Sequence, residues 1–115
     1  MPIKTSYLFI ASMDVDPEKE ELFNEVYDQE HVPQLLQVPG VIAVTRLKGE
    51  PFAVNIGGER REMPAESPVY SAIYEIESPE VLTSDAWAEA VEAGRWPGEV
   101  RPYTRNRNHR LCKVT

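Results

Sequence analysis

The chain twice runs through an apolar strand-like segment, a proline-led helix and a second strand-like segment, and this order restricts the fold more than any composition does. Thr5 to Met13 (TSYLFIASM) is rich in aromatic and β-branched residues and too continuously apolar for a strand with one wet face, so it reads as a central strand. Asp16-Pro17 then opens a helix. Aspartate suits the cap, proline tolerates the first helical position, and Glu18, Glu20 and Glu21 suit the positive end of the dipole. Leu22, Phe23, Val26 and Tyr27 recur at helical spacing and share a face turned to the sheet.

Proline disfavours helical geometry at the residue before it, so His31-Val32-Pro33 should disturb that helix, with a short offset turn over Pro33 to Val38 and a stop at Pro39-Gly40. Val41 to Leu47 and Val69 to Ile76 read as the second and third strands. The polar connection between them has a hairpin signal in Phe52 to Ile56 and Gly57-Gly58. Pro51, Pro64 and Pro68 make it irregular, and its charges suit a mobile rim. Ser78-Pro79 starts the second helical region, Ser84 a further segment with Trp87, Ala90 and Val91 on one stripe, and Gly94 stops it. Trp96-Pro97-Gly98 reads as loop and Asn108 to Val114 as the last strand.

The expected fold is therefore α+β, β-α-β-β-α-β, one domain over residues 1–115, with an antiparallel four-stranded sheet and two helices on one face. This is the ferredoxin-like arrangement. It leaves the other sheet face uncovered, and the third strand alternates Val69, Ser71, Ile73 with Tyr70, Ala72, Tyr74, so neither face is plainly wet. Pairing into a homodimer through the open face is the simplest way to cover it.

Charge and composition narrow the partners. A net charge of -7 opposes nucleic acid, although Arg95 to Lys113 holds six basic residues against Glu99 alone. That basic tail has three readings: pairing with acidic faces of its own fold, attraction of an anionic ligand, or nucleic acid, the last of which the overall charge argues against. No apolar run approaches the ~20 residues of a membrane span, no leader pattern opens the chain, and the lone Cys112 reads as a buried thiol in a reducing compartment, so the expectation is cytoplasmic, with no membrane partner.

The stretch Tyr27-Asp28-Gln29-Glu30-His31-Val32-Pro33-Gln34-Leu35-Leu36-Gln37-Val38-Pro39-Gly40 resembles the end of the first helix in EthD-like proteins of the dimeric α/β barrel superfamily. The match is close over the first half of the chain and follows only element order in the second. The resemblance implies a two-protomer barrel, a cavity between sheet and helices in each subunit, and no organic cofactor. Chemistry in that superfamily includes cofactor-independent monooxygenases, isomerases and cyclases, haem-binding branches and non-catalytic sensors, and fold does not choose among them.

The residues give these candidates. Tyr27 and His31 are four apart and share a helix face; histidine can move a proton in either direction near neutrality, and a phenol can donate to a developing enolate. The competing reading makes His31 a cap on broken-helix carbonyls and Tyr27 core. Asp28 and Glu30 sit beside these two residues, but adjacent helical side chains point about 100° apart, which excludes a carboxylate-histidine pair. Trp96, Arg101, Tyr70 and Trp87 are the candidate substrate-binding residues: Trp96 as a loop cap over a flat ring, Arg101 with Arg105 and Arg110 as holders of a carboxylate or enolate oxygen. Core packing is the alternative for the aromatics and solvation for the arginines. His31 and His109 lie on separate elements and give no metal-ligand spacing, so no metal is expected; neither is assignable as a haem ligand. Two functional expectations follow: a cofactor-independent enzyme acting on a small aromatic or anionic organic molecule, with His31 transferring the proton, or a dimer that binds or senses such a molecule without turnover.

Overall fold

The structure, a computed structural model, describes residues 3–115. Its main sheet has the order β2-β5-β1-β6, with β1 Tyr7–Val15, β2 Val41–Lys48, β5 Tyr70–Ile76 and β6 Thr104–Lys113. Every neighbouring pair is antiparallel. This is the ferredoxin-like order, with the apolar β1 at its centre because only a strand paired on both sides can satisfy the backbone of so apolar a segment.

On β5, Tyr70, Ala72, Tyr74 and Ile76 are buried and alternate with half-buried Ser71, Ile73 and Glu75. The buried set faces the helices. Phe9, Ala11 and Met13 of β1 lie on that same face by register, Phe9 opposite Tyr74 and Ala11 opposite Ala72. The reverse face is mixed: Ser12 and Ser71 hydrogen-bond to each other across the strands at 2.8 Å.

Helical structure starts at Pro17 as a 3-10 turn and continues as α1, Glu20–Val26. The disturbance expected at His31-Val32-Pro33 takes a different form from a break. Tyr27–His31 is a π-helical turn, closed by the Val32 amide donating to the Tyr27 carbonyl, and α2, Val32–Leu36, follows without interruption. Widening the turn by one residue moves aside the carbonyl that the Pro33 ring would strike in a regular helix. The same device recurs at Trp96–Val100, where the Arg101 amide donates to the Trp96 carbonyl immediately before Pro102. The expected loop at Trp96-Pro97-Gly98 is thus a helical turn. Between β5 and that turn lies α3, Asp85–Ala90, whose Ser84 cap accepts from the Trp87 amide at 3.2 Å.

Three further strands extend the sequence reading. The β2–β5 connection contains a regular hairpin, β3 Phe52–Ile56 with β4 Glu59–Met63, turned by Gly57 and Gly58 at φ +62 and +81. Both glycines need the left-handed region that a two-residue hairpin turn demands. The last strand begins at Thr104, four residues before the expected Asn108, because an edge strand bonded only to β1 needs no apolar alternation along TRNRNHR.

Candidate functional site

The helix that carries Tyr27 and His31 lies across the sheet face formed by Phe9, Ala11, Met13 and Tyr74, and a cavity of about 390 Å³ remains between them. Trp87 and Val91 close one side. Trp96 and Leu35 close another, and Glu92, Arg101, Arg107 and His109 stand around the rest. Its size falls within the usual ~300–1,000 Å³ of small-molecule sites.

His31 is 5% exposed and is the one buried polar or charged residue in the described chain. Its ring stacks on Trp96 with centroids 4.4 Å apart and meets the edge of Tyr27 at 4.9 Å. Among the described residues its Nδ1 has no hydrogen-bond partner. A cap would donate to a helix-end carbonyl; His31 makes no such bond in the described structure, so the capping alternative has no geometric support. Burial, with the charge of Arg101, lowers its pKa from 6.5 to about 4, against a smaller opposing effect of Glu92. The imidazole is neutral at physiological pH.

Tyr27 and Tyr74 join hydroxyls at 2.8 Å inside the core. Burial raises the pKa of both phenols, that of Tyr74 further. Both therefore remain protonated, and since one O–H suffices for their mutual bond, the pair has a second proton to offer. Arg46 lies over the Tyr27 ring at 4.5 Å from outside the cavity, held by Asp28 at 2.8 Å and Asn24 at 2.9 Å. Glu30 accepts from the Arg95 amide at 2.9 Å and its Nε at 2.6 Å. Both carboxylates adjacent to the candidate pair are thus engaged elsewhere, and the Glu30 contact pins the segment that delivers Trp96 onto His31.

Of the residues singled out from sequence, His31, Tyr27, Trp96, Trp87 and Arg101 surround this one cavity. Trp96 is 3% exposed and forms an inner wall, which corrects the expectation of a surface cap. Trp87 meets Phe9 and Tyr74 edge-on at 5.7 and 5.5 Å. Arg101 pairs with Glu92 at 2.7 Å and also donates to the Val91 carbonyl. Tyr70 lies elsewhere: it packs on Phe23 at 4.9 Å and its hydroxyl donates to Glu20, outside the cavity. Arg105 pairs with Asp16, and Arg110 stands opposite Ile10 on the strand.

Sequence reasoning missed Tyr74, Phe9, Arg107 and His109 as wall residues. The first two were legible only through register, since Phe9 sits opposite both Tyr74 and Leu111. His109 stacks on Phe9 at 5.7 Å, and burial followed by the charge of Arg107 lowers its pKa. Among the described residues no group of histidine, cysteine, aspartate and glutamate has the proximity to hold a metal ion, and no helix is long and apolar enough to cross a membrane.

No protein-family model matches the chain, and no curated protein matches it. Solved structures do. An EthD family protein from Bacillus halodurans superposes with TM-score 0.59 at 14% identity, covering 96% of this chain and 100% of the other. The haem-degrader MhuD of Mycobacterium tuberculosis, with two haems in its active site, gives TM-score 0.58 at 15% identity over 95% of each chain. A mutant MhuD structure with two manganese protoporphyrin IX molecules per active site gives 0.60 at 15% identity over 95% and 94%. The fold is the one shared with the EthD and MhuD structures, as the helix motif around His31 suggested.

Proposed function

We propose that this protein is a homodimer whose protomers each bind a small flat organic molecule in the cavity beside His31, and that it moves a proton on that molecule without an organic cofactor. The observation that carries the reading is His31 itself. Desolvating an imidazole without a hydrogen bond costs folding free energy, and such a cost persists where the group serves a ligand.

In the proposed step, neutral His31 accepts a proton from the carbon next to a carbonyl, or from a phenol. The electron pair moves onto the substrate oxygen, and the spare O–H of the Tyr27–Tyr74 pair donates to that oxygen as its charge grows. Return of the proton to another atom completes an isomerisation. Trp87, Phe9 and Trp96 supply flat apolar walls for the ring of the substrate.

A porphyrin fits these residues poorly. The cavity lies toward the small end of ligand sites, and both of its histidines are packed against aromatic faces, His31 on Trp96 and His109 on Phe9. Purified protein should run as a dimer of the 13.1 kDa chain in light scattering. Mass spectrometry of small molecules released on denaturation should identify an aromatic or enolisable compound that His31→Phe protein fails to retain or turn over. An absorbance band near ~400 nm would mark haem instead. A ligand retained unchanged by both the wild type and His31→Phe, with no turnover, would leave a carrier in place of the enzyme.

A further inference from the structure

The charges around the cavity do not cancel. Arg101 is paired with Glu92, whereas Arg107 also lines the cavity and has no hydrogen bond or ion pair among the described residues. Arg95 pairs with Glu25 and Glu30, and Arg105 with Asp16; Arg110 has no such partner among the described residues either, but unlike Arg107 it does not line the cavity. Both cavity histidines have lowered pKa values and add no positive charge at neutrality. One uncompensated guanidinium therefore faces the cavity of a protein whose net charge is -7.

A bulge in β6 aims it there. Asn108 stands opposite Ser12 and Arg105 opposite Asp14, so Asn106 and Arg107 together face Met13. Asn106 holds φ +54, and its side-chain amide donates to Asp14 at 2.8 Å. Asp14 in turn accepts from the Val69 amide at 2.7 Å, which ties the bulge to the start of β5. Without the extra residue, Arg105 would share the face of Arg107; with it, Arg105 turns away to Asp16 while Arg107 and His109 stay on the cavity side.

We propose that Arg107 is the anion anchor of this cavity, and that the ligand is a flat aromatic monoanion whose carboxylate rests on Arg107 while its ring lies within the aromatic-walled cavity beside Trp87. The inference rests on the cavity being the ligand site. It names a residue and a charge class that the reading above leaves open. Guanidinium presents a planar fork that matches a carboxylate, and with its charge unspent it loses no existing partner on binding. An anion placed beside His31 would also favour the imidazolium and so raise its basicity, making proton acceptance a property of the complex.

The test compares 2-naphthoate with its neutral amide, 2-naphthamide, by quenching of the Trp87 and Trp96 fluorescence. The wild type should bind the acid about tenfold more tightly than the amide, with a preference that falls at high salt. Arg107→Gln should abolish that preference and leave amide affinity unchanged; Arg107→Lys should keep part of it. Equal binding of acid and amide by the wild type, or a preference unaltered in Arg107→Gln, overturns the anchor while leaving the cavity as a ligand site. If neither compound binds, the ligand site itself is refuted and the anchor with it.

Discussion

Replacing His31 by phenylalanine separates what this residue costs the fold from what it does for the site. Phenylalanine keeps the stack on Trp96 and removes a buried nitrogen that has no partner. An unsatisfied buried polar group costs ~1–3 kcal/mol, so at pH 7.5 the variant should be at least as stable as the wild type, less any strain from its larger ring. Acidification should then spread the two apart. The imidazole has a pKa of about 4 when folded, against 6.5 as its ordinary value, so between these pH values the unfolded chain binds the proton that the folded chain refuses. The wild type loses stability as pH falls through that window, by roughly 2–3 kcal/mol from pH 7.5 to 4.5, and His31→Phe is spared this loss. Carboxylates with lowered pKa values, such as Asp14 held by Ser67, Asn106 and the Val69 amide, also weaken the fold in acid, but they do so in both proteins. Urea unfolding at equal protein concentration across this range gives the difference directly. Parallel pH profiles, or a variant less stable by more than about 1 kcal/mol at pH 7.5, would refute the reasoning.

Three other outcomes follow from the same geometry. Tyr27→Phe leaves the Tyr74 hydroxyl alone in the core and should cost ~1–3 kcal/mol, while adding Tyr74→Phe should cost less than the sum of the single changes, as a double-mutant cycle by denaturant unfolding would record. Gly94→Ala should destabilise by at least ~1 kcal/mol and loosen the Trp96 segment, seen as a shift in tryptophan emission, because Gly94 holds φ +69 and an added Cβ would come 2.6 Å from the Glu30 oxygen that binds Arg95. Deleting Asn55 to Glu62 and rejoining the ends should change the thermal midpoint by only a few degrees, since β3 and β4 pair with each other alone and every residue of β4 is exposed.

Much of this was readable from residue order. The apolar continuity of Thr5 to Met13 placed β1 at the sheet centre, and Ser84 and the proline-led helix starts located the helices. The helix motif indicated the right fold and put Tyr27 and His31 on one face. Local signals failed where a distant contact decides. Tyr70 and Tyr74 sit on the same strand face, yet only Tyr74 reaches the cavity, because the crossing helix puts Tyr27 over one and Phe23 and Glu20 over the other. Trp96 carried loop residues around it, but Pro102 and the Glu30 contact made its segment a helical turn directed inward. Arg107 was indistinguishable from other tail arginines until the bulge separated it from Arg105.

The most direct test of the account is the ¹⁵N NMR spectrum of His31 in labelled protein, assigned by its loss in His31→Phe. The expected result is a neutral imidazole that stays neutral as pH falls toward about 4, and whose nitrogen shifts move when 2-naphthoate is added. An imidazole that titrates near its ordinary 6.5, with shifts indifferent to the added ligand, would contradict it.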